Sequence, residues 1–333
     1  MSPGAGTSAG AGISFGVDIG GTKVLGVALG ASERIVAEAR VPTPNGQADV
    51  VEAVADVVAQ LDTACAELAA PAADAPAVGV GVPGMLDRAG RLCFSPNLPQ
   101  GHGIDWRQLL GQRLVGREVL IENDANFAVL AEHRLGAAQG YHHVVAVTLG
   151  TGIGGGLIVD GRVQVGAHGF AGEIGHMVVD PAGPPCPCGR RGCWERYASG
   201  GGLGLLAREA ALAGRLPGVV ARAGGDAESV RGEDVTEAAR AGDADARQVV
   251  EQVGWWVGFG LANLAAVVDP ECFVLGGGLV GAGDLLLQAA RAAFAELVEG
   301  SDRRPPTAIV TAAFGERAGA VGAALAARHG SLW

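Results

Sequence analysis

The sequence predicts an α/β protein of two domains, and three observations carry that expectation. Apolar runs bounded by glycine turns alternate with Ala- and Val-rich helical stretches, the pattern of strands and helices packed in layers. A strand–glycine turn–strand unit occurs twice, beginning at 13 and again at 143, roughly 130 residues apart. The chain has 333 residues, 49% of them apolar, comfortable for two cores and long for one.

The elements follow in order. "ISFGVDIGGTKVLGVAL" (13–29) reads as two strands joined by a tight turn. Residues 48–70 read as a helix with acids on one face, and "AVGVGVPGML" (77–86) as a buried strand. In "EVLIENDANFAVLAEHRLG" (118–136) a strand runs into a helix with "END" at the junction, near which the domain boundary is expected. "HVVAVTLGTGIGGGLIVDGRVQ" (143–164) repeats the first theme and closes on an Asp-Gly hairpin signal. From about 197 to 268 the chain is mainly helical. "CFVLGGGLV" (272–280) is a strand ending in a glycine turn. A helix (284–298), the strand "AIVTAAF" (308–314) and an Ala-rich last helix complete the chain. The polar stretch 223–234 reads as exposed and receives no function.

Composition narrows the partners. A net charge of −11 with no Lys/Arg stripe argues against nucleic acid and for a small molecule. The opening "MSPGAGTSAGAG" lacks the basic start and apolar core of a signal peptide and reads as a disordered tail. The apolar "WWVGFGLANLAAVV" (255–268) is too short to span a bilayer and carries Asn263, so it reads as a core helix. A cytoplasmic protein with no membrane partner is expected, and there cysteines stay reduced.

Two segments, "GTGIGG" (150–155) and "GVGVPG" (79–84), fit G-x-G-x-x-G, but strand and hairpin patterns follow them where a dinucleotide site requires a helix. No P-loop occurs. "DIGGTK" (18–23) and "TLGTGIGGG" (148–156) each offer successive amides at the end of a strand, a concavity suited to phosphate oxygens. Asp18 can hold Mg²⁺ through water, and Thr22 or Thr151 can donate to phosphate. One such turn alone would be a simple hairpin; two, with "GGG" at 276–278, favour a nucleotide site. In "IENDAN" (121–126), Asp124 is either a general base for a substrate hydroxyl or the N-cap of the following helix.

Half of the six cysteines lie within eight residues of "CPCGRRGC". His176, Cys186, Cys188 and Cys193 form H-x9-C-x-C-x4-C, a donor set for a closed, tetrahedral, structural zinc site. Unliganded thiols or a disulfide are the alternative, although a Cys186–Cys188 bridge is sterically awkward. Zinc here would hold Glu173 and Glu195 in place as acceptors for sugar hydroxyls. His176 could bind the metal through one nitrogen and donate to substrate from the other.

"DIGGTK", "ENDAN", "LGTGIGGG", "GEIGH" and "CPCGRRGCWE", in this order, resemble the ROK family of sugar kinases, most closely its bacterial ATP-dependent glucokinases. The resemblance runs from about 13 to 328. It implies an actin-like ATPase (ribonuclease H-like) fold with two α/β domains closing over a cleft. The implied domains are a tail (1–12), a small domain (13–123), a large domain with the zinc loop (124–316) and a last helix (317–333) returning to the small domain.

Carried over, Asp124 would be the base for the sugar 6-hydroxyl, and Gly84, Asn97, Asn123, Glu173, His176 and Glu195 would bind the sugar. Asp18, Gly20, Gly21, Thr22 and Lys23, with Thr151 and Gly152, would face the phosphates of Mg·ATP, and Gly277 and Gly278 would lie near the adenosine. A homodimer or homotetramer is implied. The implied reaction is transfer of the ATP γ-phosphate to glucose. Another hexose or N-acetylhexosamine, a polyphosphate donor, or a sugar-responsive regulator are the alternatives. The segment "QGHGID" (100–105) and Phe127 depart from the family pattern and bear on sugar choice. The short stretch before the first strand and the acidic charge argue against a DNA-binding regulator.

Overall fold

The computed structural model describes residues 12–66, 75–95 and 101–332. The chain forms two compact units. The first runs to Gly136 and includes Arg162–Ala171 and the chain from Arg317 onward; the second is Ala137–Gly161 with Gly172–Glu316. Asn97 and residues 1–11 of the expected tail lie outside the described residues.

The first unit contains β1 (Ser14–Ile19), β2 (Lys23–Leu29), β3 (Ile35–Pro42), α1 (Gln47–Ala66), β4 (Val78–Val82), β5 (Met85–Leu86), β6 (Leu92–Phe94), α2 (Trp106–Arg113), β7 (Val119–Asn123) and α3 (Asp124–Arg134). Its main sheet has the order β3-β2-β1-β4-β7. β1 pairs antiparallel with β2 and parallel with β4, and β4 pairs parallel with β7. Helices cover both faces, and the glycines show how. A Cβ on Gly26 would meet Val57 and Leu61 of α1, whereas one on Gly16 would lie 1.9 Å from the Ala320 carbonyl of the C-terminal helix. Gly16 pairs with Val27 and Val17 with Gly26, so the two glycines point to opposite faces. The missing side chain at Gly16 lets the small-residue C-terminal helix sit directly on that face of the sheet.

The second unit contains β8 (Val144–Leu149) and β9 (Ile153–Val159). The turn Asp160–Gly161 has positive φ at both residues, 52° and 73°, as the Asp-Gly signal requires, and leads to β10 (Arg162–Val163). After the cysteine loop come α4 (Glu195–Ala198), α5 (Gly200–Leu212), α6 (Pro217–Arg222), α7 (Gly232–Arg240), α8 (Ala244–Val268), β11 (Cys272–Gly276), α9 (Asp284–Leu297) and β12 (Ala308–Thr311); α10 (Ala318–His329) is the C-terminal helix of the first unit. The four strands of the second unit run β9-β8-β11-β12, with β8 antiparallel to β9 and parallel to β11. Each sheet therefore opens with an antiparallel hairpin beside parallel strands, and the sequence repeat corresponds to these two hairpins. α8 starts on the Asp243 cap and buries Val249, Val253, Val257, Leu261 and Leu264 in the core of this unit.

Several expected boundaries shift. The stretch 77–86 is two strands, because Gly84 turns the chain with φ +118° between β4 and β5. The strand expected at 308–314 has four residues. Residues 124–136, expected at the start of the second domain, belong to the first unit, where α3 packs on α10 and β4. Among the described residues no helix is long and apolar enough to cross a membrane.

Candidate active site

In the first unit the chemistry gathers at the carboxyl ends of β1, β4 and β7, where an open α/β sheet leaves room for ligand. The β1–β2 turn is closed by Gly20 N–H on the Lys23 carbonyl at 2.9 Å and steadied by the Thr43 hydroxyl on the Gly20 carbonyl at 2.7 Å. Gly21 and Thr22 stand exposed at its tip. Asp18, just before the turn, has a buried Oδ1 with no hydrogen-bond partner. Burial, then the charge of Asp124, push its carboxyl up to about 8, and Lys23 pulls the other way. A buried, unpartnered carboxylate oxygen beside a phosphate-sized turn fits a hard cation such as Mg²⁺.

Asp124 begins α3. Asn123 is the N-cap: its Oδ1 accepts from Ala125 N–H at 2.9 Å and Asn126 N–H at 3.1 Å. The cap role therefore falls to Asn123. The Asp124 carboxylate accepts from Ala125 N–H at 2.9 Å, and burial raises its proton affinity against that bond. Gly84 belongs to the same corner, since Asn123 Nδ2 donates to its carbonyl at 3.1 Å. A Cβ there would lie 2.4 Å from the Phe94 carbonyl, so glycine is required on both conformation and space.

In the second unit the β8–β9 turn is held by Gly150 N–H on the Gly152 carbonyl at 3.0 Å. The Ser199 hydroxyl and Gly201 N–H both bond the Thr151 carbonyl. Thr151 and Gly278 line a cavity of about 590 Å³ together with Gly200, Gly201 and the α7 face Glu233, Thr236, Glu237 and Arg240. Gly277 stands beside it, packed on the Leu149 backbone. Glycine walls leave space for a flat ring, and the volume lies in the usual range for a small-molecule pocket. The sequence reading missed α7 and gave 223–234 no function, whereas Gly232 and Glu233 border this cavity. The signal available was "SGGG" at 199–202, a capping serine followed by glycines at the start of a long helix.

The cysteine loop belongs to the same unit. His176, Cys186, Cys188 and Cys193 bring their ligand atoms within 4.8 Å of one another. The Cys188 and Cys193 sulfurs are 3.5 Å apart and Cys186 Sγ is 3.8 Å from His176 Nδ1. A tetrahedron with Zn–S bonds of about 2.3 Å has edges near 3.8 Å, so the donor set fits zinc. His176 turns Nδ1 toward the sulfurs and Nε2 toward Glu173, whose Oε2 is 3.9 Å away. Glu195 Oε1 lies 3.6 Å from His176 Nδ1, and its Oε2 accepts from Ile153 N–H at the start of β9 at 3.4 Å. The two carboxylates thus flank the imidazole. Trp194, fully buried, anchors the loop through its indole N–H on the Trp256 carbonyl at 2.7 Å.

Comparison with known proteins identifies the family. The pattern described as "ROK family" matches residues 14–329. The glucokinase of Streptomyces coelicolor is 37% identical over 325 residues, covering 96% of this chain and 98% of that protein. The glucokinase of Thermotoga maritima is 35% identical, covering 82% of this chain and 84% of its own. Among solved structures, a ROK family glucokinase from Streptomyces griseus in complex with glucose and AMPPNP superposes with a TM-score of 0.84 at 37% identity, covering 95% of this chain and 99% of that one. The fold is the actin-like ATPase fold, and the chain belongs to the ROK family.

Proposed function

We propose that this chain is an ATP-dependent glucokinase that transfers the γ-phosphate of ATP to the 6-hydroxyl of glucose, giving glucose 6-phosphate. The observation that carries the reading is Asp124, a buried carboxylate of raised proton affinity, fixed by a backbone amide at the start of a capped helix. Such a group is suited to accept the hydroxyl proton as the oxygen attacks phosphorus. Asn123, Gly84, Asn97, Glu173, His176 and Glu195 are the proposed sugar ligands. The turns 18–23 and 150–152 supply amides and hydroxyls for the phosphates. Asp18 would hold the Mg²⁺ that arrives with ATP, which would supply neutralising charge to the phosphates. Zinc on His176, Cys186, Cys188 and Cys193 would be structural, keeping Glu173 and Glu195 beside His176.

The α7 face favours a nucleotide over polyphosphate. Glu233 and Glu237 are acceptors suited to ribose hydroxyls, and they would repel a polyanionic chain, while Arg240 already donates to the Gly281 carbonyl. Six unpaired thiols suit a reducing compartment and support a cytoplasmic enzyme. The family implies a homodimer or homotetramer, which sedimentation velocity would measure.

The test is ADP release from Mg·ATP across glucose, mannose, fructose, N-acetylglucosamine and N-acetylmannosamine. Fast turnover confined to glucose supports the reading. Preference for an N-acetylhexosamine reassigns the sugar, and turnover only with polyphosphate overturns the donor.

A further inference from the structure

We infer that Glu122 is a positioning residue that sets the strand-to-helix joint carrying Asp124, an inference that rests on the kinase reading for its catalytic consequence. Glu122 is the penultimate residue of β7, paired with Gly81 of β4. Its side chain turns back over the joint. One oxygen, Oε1, accepts from the Asn123 backbone N–H at 2.8 Å and from Asn126 Nδ2 at 3.1 Å. The two donors lie on either side of Asp124 in sequence, one at the strand's end and one in the first turn of α3. Asn123 Oδ1 in turn accepts from Asn126 N–H, so Glu122, Asn123 and Asn126 form a closed ring of bonds around the residue that holds the base.

Asn126 makes this ring sensitive to loss. It is 1% exposed, and its Oδ1 has no hydrogen-bond partner. Without Glu122 its amide nitrogen loses the bond that compensates for burial, and the first turn of α3 relaxes toward another arrangement. Asp124 accepts from Ala125 N–H in that same turn and is bonded by the Asn123 side chain, so a shift of the joint moves the base. Glu122 acts as an acceptor in this scheme rather than as a charge. Its proton affinity is itself raised by burial, opposed by its bonds to Asn123 and Asn126 and then by Arg107 and Arg88 nearby.

The experiment compares wild type, Glu122→Gln and Glu122→Ala by steady-state kinetics with Mg·ATP and glucose, and by amide hydrogen exchange at Asn126. Gln keeps an oxygen that accepts both bonds. E122Q is expected within about threefold of wild-type kcat, with wild-type exchange. E122A is expected to lose about ten- to a hundredfold in kcat, with both KM values within about threefold, as a small misplacement of the base requires. Its Asn126 amide should exchange faster.

An E122A kcat close to wild type, or an E122Q loss as deep as that of E122A, overturns the inference. If E122A fails to fold, Asn126→Ala cuts the same bond from its other end; an unchanged kcat there overturns it as well. A wild type that phosphorylates none of the sugars refutes the kinase reading. The exchange comparison still decides whether Glu122 orders the joint, and unchanged exchange in E122A sinks it.

Discussion

Replacing Asp124 by Asn should stop turnover and at the same time stabilise the ligand-free fold at alkaline pH. The amide keeps an oxygen for Ala125 N–H, so the 2.9 Å bond and the Asn123 cap survive. What is lost is the proton acceptor. General bases contribute about 10²- to 10⁴-fold, which is roughly 3–5 kcal/mol of barrier. What is gained follows from Asp18. In the fold its carboxyl keeps its proton up to about 8, against an ordinary 3.8, because of burial and then the Asp124 charge. The folded state therefore binds the proton more tightly than the unfolded chain does. The stability this contributes is full below about 3.8 and is lost as pH rises through about 8. At pH 8.5 two buried carboxylates compete for charge, and removing one relieves the other by on the order of 1 kcal/mol, or a few degrees of Tm. ADP release at saturating glucose and ATP gives kcat, and thermal unfolding of the ligand-free protein at pH 5 and 8.5 gives the second quantity. A kcat within tenfold of wild type refutes the base assignment. A Tm gain equal at both pH values refutes the Asp18–Asp124 coupling.

Three further substitutions probe the second unit. Cys188→Ala should abolish zinc measured by mass spectrometry, about one ion per wild-type chain, and raise the KM for glucose, because His176, Glu173 and Glu195 share that anchor. A zinc-free wild type removes the structural-metal reading. Glu237→Gln should raise the KM for ATP by about five- to tenfold, the roughly 1–1.5 kcal/mol by which a hydrogen bond to a charged group exceeds one to a neutral amide, with a smaller effect on 2′-deoxy-ATP; equal effects on both donors would take the ribose contact away from this residue. Trp194→Ala should destabilise the second unit by about 3–5 kcal/mol, as deletion of a fully buried indole bonded to the Trp256 carbonyl demands, and denaturant titration reads it directly.

What was legible in the sequence is what local rules decide. The hairpins of both sheets follow from apolar runs around glycine turns, and the metal ligands follow from the spacing of one histidine and three cysteines, because neighbours in sequence must be neighbours in space. The cap at "END" was not legible, since Asn and Asp cap helices equally well; only the backbone, extended at Asn123 with φ −62° and ψ 140°, separates cap from base. The α7 face was half legible. Glu233, Thr236, Glu237 and Arg240 recur at helical spacing, which gives a common face, but that face meets Thr151 and Gly278 only through contacts distant in sequence.

Phe127 shows the same limit from the other side. As a bulky residue in a motif where small ones are usual, it reads as a change in the sugar pocket. It is instead fully buried in the first unit, and a Cβ on Gly322 of α10 would lie 1.8 Å from its carbonyl. Its backbone and that of α10 are in close contact, and its ring approaches Gly81 of β4, within reach of the corner shared by Asp18 and Asp124. A substitution here acts on how α3 seats against the sheet and so on the aim of the base, before it acts on which sugar is chosen. Asn123, Glu173, His176 and Glu195, the proposed sugar ligands that present polar side-chain atoms, are the expected determinants of sugar selectivity, and Phe127→Ala should lower stability and kcat together while leaving the order of preferred sugars unchanged.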